Sequence, residues 1–301
     1  MGYVPNHAVN FELYKIFYYA ANSLNFSKAA ATLHVTQSAV SQAIKSLESQ
    51  LGIALFYRQG RNVTLTYEGE VLFQHVEKAY HFFRSAENAI HNIKSLDEGT
   101  IFIGASDTIT RLFLIDSIKV FHQHYPKVRI SINNRPSTRS IEKLEKGELD
   151  IAIINVMPNF DYEDLQLYPL TTLEHILVSS VPVDPSLNHL SDWLDQPLVS
   201  LEKKSTTRRI LETFYEDYAL ELKPAFEFGS FDVVLEAIHA GMGIGFVPKR
   251  IAADLITRKK LFEIQIVEKI PSIDIGILIN KGKPLSIATQ KYLEILKNNE
   301  T

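Results

Sequence analysis

The sequence predicts an α+β multidomain chain: an N-terminal winged helix-turn-helix, a long linker helix, and a two-lobed α/β domain. Three observations carry this prediction. Residues 10–66 hold three short helical periodicities and then a hairpin-like stretch. Residues 66–96 sustain one apolar helical stripe longer than a small domain can bury. From residue 99 onward, short apolar runs alternate with amphipathic helical segments, the pattern of a mostly parallel sheet.

The bulk properties agree. A length of 301 residues suits about two domains of ~100–200 residues. With 46% hydrophobic and 22% charged residues, a disordered or fibrous chain is excluded. The absence of cysteine excludes disulfides, thiolate metal ligands and a cysteine nucleophile. No apolar run reaches the ~18 residues of a membrane span, so no membrane association is expected. Met1 to Ala20 lacks a basic segment followed by an apolar run, so the cytoplasm is the expected compartment. The net charge of −4 is unevenly spread. Up to residue 66, five bases (Lys15, Lys28, Lys45, Arg58, Arg61) face only Glu12 and Glu48, a net of +3. Residues 67–98 reverse this to −3.

Asn10 is expected to cap the first helix, in which Leu13, Phe17, Ala20 and Ala21 face inward. Ser27 is read as the cap of a short second helix with Ala29, Ala30 and Leu33 on its inner face. His34-Val35-Thr36 is a tight turn, and Thr36 caps a third helix to about Gln50. In that helix Val40, Ile44, Leu47 and Leu51 form a buried stripe, and Ser38, Ser41, Gln42 and Lys45 form a separate exposed one. The exposed stripe contains no acid. Its hydroxyls, amide and ammonium suit base edges and phosphates, and Gln37 adds an amide at the helix N-terminus. Residues 57–66 read as a β-hairpin with Arg58, Arg61 and Asn62 at its tip, placed to reach phosphates or a minor groove.

The run from Phe26 to Glu48, with Leu51-Gly52, Leu55 to Arg58, Leu65-Thr66 and Gly69, resembles the signature of LysR-type transcriptional regulators. The resemblance implies a winged helix-turn-helix DNA-binding domain over 1–66, with Ser27, Thr36, Gln37, Ser38, Ser41, Gln42, Lys45, Arg58, Arg61 and Asn62 as candidate DNA contacts. It implies a dimerising linker helix over 67–97. An effector-binding domain over 98–301 would follow, with lobe I at about 100–169 and 270–301 and lobe II at about 170–269. It further implies homodimers assembled into homotetramers, an interrupted palindromic operator in double-stranded DNA, and RNA polymerase as a further partner. Ser38 stands where the family often carries proline, at a helix start that accepts either.

The linker stripe includes Val71, Leu72, Val76, Tyr80, Phe83, Ile90 and Ile93. Beyond it, strands are expected at 101–105, 128–132, 150–154, 176–180, 198–201, 225–228, 243–247 and 275–279. Helices are expected at about 110–124, 137–146, 206–220, 230–240 and 285–296. Two such lobes joined by crossing strands resemble periplasmic-binding-protein-like sensor domains. Open α/β sheets bind ligands beyond the carboxyl ends of their strands. That rule singles out Ser106, Asp107 and Thr108, Ser137 and Thr138, Asn155, Ser205, Thr206 and Thr207, and Gly229 and Ser230 as effector-site candidates. Asp107 would repel an anionic effector unless Arg208 or Arg135 offsets it; otherwise it binds an amine, as in an amino acid.

No catalytic constellation is present in the sequence. Gly-x-Ser-x-Gly, Walker and His-Glu-x-x-His motifs are missing, and Gly241 to Gly245 follows a helix rather than preceding one. The ten histidines are scattered, so no metal site, cofactor or enzymatic role is expected. The alternative to a DNA-binding regulator is a small-molecule receptor without DNA function, which the polar helix stripe disfavours.

Overall fold

The computed structural model describes residues 10–59, 62–93, 99–158, 160–162 and 164–298. They divide into two compact units, 1–87 and 88–301.

The first unit packs α1 (Phe11–Ser23), α2 (Phe26–Leu33) and α3 (Gln37–Leu51) around a small core. The hairpin β1 (Phe56–Gln59) and β2 (Asn62–Leu65) follows, and then α4 (Tyr67–Ile93). Asn10 caps α1 by accepting from the Glu12 N–H at 2.9 Å. The cap of α2 is Asn25 rather than Ser27. Asn25 has extended backbone angles and accepts from Ser27 and Lys28 at 3.0 Å, whereas Ser27 already lies inside the helix. His34 ends α2 in the left-handed region (φ 55°), and the Val35 N–H donates back to the Ala30 carbonyl at 3.0 Å, a helix-stop geometry that makes the turn tight. Thr36 caps α3 through the Ala39 N–H at 3.2 Å. Phe17, Phe26, Ala29, Val40, Ile44, Leu47 and Phe56 form the core, with Phe56 edge-on to Phe17 and Phe26.

Two polar groups fix the hairpin to the helices. The Glu48 carboxylate accepts from the Leu55 and Phe56 N–H groups at 2.9 and 3.2 Å. The buried Thr66 hydroxyl donates to the Ala54 carbonyl and accepts from the Gly69 N–H. The first turn of α4 therefore packs directly on residues 54–55. A side chain at Gly69 would sit far inside van der Waals contact of the Leu55 carbonyl oxygen. At 27 residues, α4 is about 40 Å long. Its first turns stack Tyr80 and Phe73 on Tyr18 of α1, and the Tyr19 and Tyr80 hydroxyls share a hydrogen bond of 2.6 Å.

The second unit opens with β3 (Gly99–Ala105), α5 (Asp107–Ile109), a π-helical turn (Thr110–Leu114) and α6 (Ile115–His124). It continues with β4 (Val128–Asn134), α7 (Ser137–Glu145), β5 (Ile151–Asn155) and β6 (Leu165–Leu173). Next come β7 (His175–Ser179), β8 (Leu198–Leu201), α8 (Thr206–Asp217), β9 (Pro224–Phe228) and α9 (Phe231–His239). The last elements are β10 (Gly245–Pro248), α10 (Lys249–Thr257), β11 (Phe262–Ile264), β12 (Ile273–Asn280) and α11 (Ile287–Asn298).

Two sheets result. The first has the order β4-β3-β5-β12-β6, with β3 parallel to β4 and β5 and β12 antiparallel to its neighbours. The second combines β10-β7-β11 with β8-β9 through a parallel bridge between Leu198 and Ile244. The chain passes between them at Glu174 and again over 265–272. The first sheet's own core includes Ile101, Ile103, Phe121, Ile153, Ile275 and Tyr292, and the second's includes Val178, Val199, Val234, Ile238 and Val247.

The first sheet runs to Leu173, beyond the boundary expected near 169. Strand β6 escapes sequence reading because its pattern is broken by Pro169. It is an edge strand, and Pro169 pairs with Gly276 at a register shift in β12, which removes the need for its missing N–H. Helix α10 and β11 are likewise additions to the sequence reading. The first helix of this unit starts at Asp107 under a Ser106 cap, three residues before the expected Thr110. Among the described residues no helix is long and apolar enough to cross a membrane.

Gly69→Ala is expected to destabilise the first unit by about 1–3 kcal/mol, because the new methyl collides with backbone that cannot yield cheaply. Urea unfolding followed by near-ultraviolet circular dichroism measures it; an unchanged midpoint would contradict the packing described.

Candidate functional site

Two regions gather the polar side chains that the sequence singles out. The first is the outer face of α3. Thr36, Gln37, Ser38, Gln42 and Lys45 are exposed, and Ser41 is half-buried beside them. Thr36 and Ser38 share a hydroxyl–hydroxyl hydrogen bond of 2.9 Å that orders the start of the helix. Lys45 has no ion-pair partner among the described residues, so its ammonium is available to an anion. Ser27 is exposed on α2. Arg58 lies on β1 opposite Val63, and Asn62 pairs with Gln59 at the hairpin end. Arg61 lies outside the described residues, so only the strands of the expected basic tip are placed.

The second region is a cavity of about 230 Å³ between the two sheets of the second unit. All seven principal candidates line it: Ser106, Asp107 and Thr108 after β3, Ser137 at the start of α7, Asn155 at the end of β5, Thr206 at the start of α8, and Ser230 before α9. Ser205, Thr207, Gly229 and Arg135 line it as well, whereas Thr138 does not. The strand ends and helix starts that form it come from both sheets, so the cavity exists only when the lobes face each other.

Local capping explains much of this geometry. Ser106, Ser205 and Ser230 each turn their hydroxyl back to accept an N–H of their own helix, at 3.4 to 3.5 Å. Their side chains are therefore partly committed. Thr206 differs. It is buried, and its hydroxyl has no hydrogen-bond partner. Such a group costs about 1–3 kcal/mol until something pairs with it. Asn155 spans the lobes, with Nδ2 donating to the Thr207 hydroxyl at 3.0 Å and its backbone N–H donating to Ser137 Oγ at 3.1 Å. Arg111 of the π-helical turn makes an ion pair with Asp232 of α9, and Arg250 lies 5.0 Å over the Phe113 ring. These contacts bridge elements of the two lobes.

Of the two cations considered as an offset for Asp107, Arg135 lines the cavity and Arg208 does not. Arg208 is buried and turned away from the cavity. Its guanidinium donates to the Leu201 carbonyl and pairs with Glu227 at 2.7 Å and Glu212 at 3.0 Å. Sequence reasoning missed Asn134, Pro136, Leu173, Leu201, Glu202 and Phe231. The strand-end rule could have found Asn134 and Glu202, which end or directly follow β4 and β8. Leu173 and Phe231 required knowledge of where the chain crosses between sheets.

That crossing holds a buried titratable group. His175 starts β7, places Nδ1 3.1 Å from the Leu173 carbonyl, and packs at 5.8 Å from the Phe231 ring that lines the cavity. Nδ1–H donates, and the buried Nε2 has no partner. Burial holds the imidazole neutral and pushes its pKa down to about 4, against a smaller opposing effect of the Leu173 hydrogen bond.

Comparison with known proteins adds to this picture. The profile of the bacterial regulatory helix-turn-helix protein, lysR family, matches residues 11–70, and that of the LysR substrate binding domain matches residues 94–300. The chain is 28% identical to the HTH-type transcriptional regulator YofA of Bacillus velezensis, over 94% of this chain and 96% of that protein. Its fold is similar to full-length OxyR of Pseudomonas aeruginosa, with a TM-score of 0.69 at 20% identity, covering 97% of this chain and 95% of the other. It is also similar to full-length CbnR complexed with its target DNA, with a TM-score of 0.64 at 18% identity, covering 96% and 99%.

The His175 environment has a measurable consequence. The unfolded chain takes up a proton near pH 6.5, and the folded chain resists until about pH 4. Stability is therefore full above pH 6.5 and falls through that window, by about 2 kcal/mol at pH 5. Urea unfolding of the wild type and His175→Leu at pH 7 and pH 5 tests this. The variant should lose less stability on acidification; parallel losses would contradict it.

Proposed function

Because the chain belongs to the LysR family of bacterial transcriptional regulators, which are not enzymes, we propose specific roles for the two regions. The exposed face of α3 enters the major groove, where Gln37, Ser38, Ser41 and Gln42 meet base edges and Lys45 and Thr36 meet backbone phosphate. Ser27 supports the same backbone contact from α2. The hairpin carries Arg58, Arg61 and Asn62 to the adjacent phosphates or minor groove. The observation that carries this reading is an acid-free polar stripe whose ammonium has no ion-pair partner among the described residues, on a chain whose net charge is −4. The solved CbnR complex with its target DNA supports it by fold.

The cavity between the lobes is read as the site of a small-molecule effector that changes the regulator's activity. The buried, unpartnered Thr206 hydroxyl and the converging helix starts support this, since helix N-termini favour a negatively charged group. To regulate, the effector must bind one arrangement of the lobes better than another. The inter-lobe contacts of Asn155, Arg111 and Arg250 are the ones such a preference would rearrange.

Pairing of two chains through α4 is the third part of the proposal. A groove of about 430 Å³ runs between α1 and α4, lined by Phe11, Tyr14, Leu72, Val76, Tyr80 and Phe83, and Phe11 is 76% exposed. Covering that surface with a second copy presents two recognition helices to an interrupted palindromic operator. Homotetramers and recruitment of RNA polymerase in the cytoplasm complete the reading.

Lys45→Ala and Arg58→Ala are each expected to weaken operator binding and lower the salt slope of affinity by about 1, with Gln42→Ala relaxing sequence preference by about 1–3 kcal/mol. Fluorescence anisotropy over a salt series measures both; unchanged affinity and slope would reject the docking. For the cavity, Thr206→Val should reduce the melting-temperature gain that a bound small molecule produces. An undiminished gain would place the ligand elsewhere.

A further inference from the structure

Resting on the reading of the cavity as a small-molecule site, we propose that its ligand is a zwitterion, an α-amino acid or a close analogue. Its ammonium would lie against Asp107 and Glu202, and its carboxylate against Arg135 and the start of α8.

Three charged side chains, all exposed, line one small cavity. Asp107 and Arg135 come from the first lobe and Glu202 from the second. They carry both signs of charge, yet none pairs with another. Among the described residues Asp107 is met only by the neutral amide of Asn134, at 2.5 Å. Glu202 and Arg135 have no side-chain partner among the described residues. The buried cations of this unit are matched at short range, Arg208 by Glu212 and Glu227 and Lys283 by Asp150 at 2.9 Å, whereas Asp107, Arg135 and Glu202 are exposed at the cavity and open to a ligand. Unpaired charges that a ligand will cover must be matched by that ligand, or its binding incurs their desolvation.

The positive side of the cavity is more than Arg135. Helices α7, α8 and α9 all start at its wall, each adding positive partial charge at its end. At the start of α8 the Thr206 hydroxyl is buried and unpartnered, a donor with nothing to donate to. Two carboxylates, one guanidinium and three helix ends leave the site close to neutral with both signs of charge present. A plain carboxylic acid would leave Asp107 and Glu202 repelling it. A plain amine would leave Arg135 and Thr206 unmatched. A zwitterion satisfies both sides at once. The volume of about 230 Å³ lies below the roughly 300–1,000 Å³ of drug-sized sites and suits an amino acid. Leu173, Leu201 and Phe231 supply an apolar wall for its side chain.

The test uses the full-length protein. Its melting temperature is recorded with each standard L-amino acid at millimolar concentration, alongside a set of amine-free carboxylic acids. For the amino acid giving the largest gain, calorimetry compares it with its matched 2-hydroxy acid and its matched primary amine. The expected result is a gain with at least one amino acid, and binding about tenfold weaker for each matched compound. Asp107→Asn and Glu202→Gln should weaken the amino acid about tenfold and the hydroxy acid less than about threefold. A hydroxy acid that binds as tightly as the amino acid, or no gain with any amino acid, overturns the proposal. A gain from a plain carboxylic acid that Thr206→Val abolishes would sink the zwitterion and keep the cavity as the effector site. A gain that Thr206→Val leaves intact would sink the cavity reading itself.

Discussion

The second unit depends on a constraint of connectivity. The chain crosses between its two sheets only at Glu174 and over 265–272. With two short crossings, each sheet keeps its own core, and the sheets meet at the ends of their strands. Those ends carry the loops into α5, α7, α8 and α9, so helix starts from both lobes face one space. In open α/β sheets this is where ligands collect, because the loops can vary while the sheets stay packed. His175 sits at the first crossing, buried and neutral, with Phe231 linking it to the cavity wall.

A different economy governs the first unit. It is small, and its core relies on aromatic edge contacts and on close helix approach at Ala20, Ala29 and Ala30. Polar groups do structural work there: Glu48 and Thr66 hold the hairpin and the start of α4 against the helices. These inward groups fix the framework, and the outward face of α3 carries polar side chains, of which Thr36 and Ser38 also order the helix start. The same helix buries Val40, Ile44 and Leu47 and exposes Gln37, Ser38, Gln42 and Lys45. Framework and recognition thus divide one helix by face.

In the cavity the division is less clean. Ser106, Ser205 and Ser230 serve as helix caps and also line the space, so replacing any one of them alters both. Among the described residues the side chains of Thr206, Glu202 and Arg135 have no polar partner, and Asp107 is met by the Asn134 amide. The inter-lobe contacts of Asn155 and Arg111 lie beside them.

The three N-terminal helices, the hairpin, the long α4 and most strands and helices of the second unit were legible in the sequence. Their periodicities are local and their caps and glycines mark the ends. The polar stripe of α3 was legible for the same reason, since helical spacing alone decides which residues share a face. The effector candidates followed from the strand-end rule. Most of what only the structure decided involves partners distant in sequence, the cap of α2 being a local exception. Pro169 is tolerated in β6 because it meets Gly276 at the sheet edge. Asn25 displaces Ser27 as a cap because backbone angles, not residue type, set where α2 begins. Arg208 turns inward to Glu227 and leaves Arg135 at the cavity, because the packing of α8 against β9 settles which arginine is buried. Periodicity assigns a face; it cannot say which of two cations finds an acid across the fold.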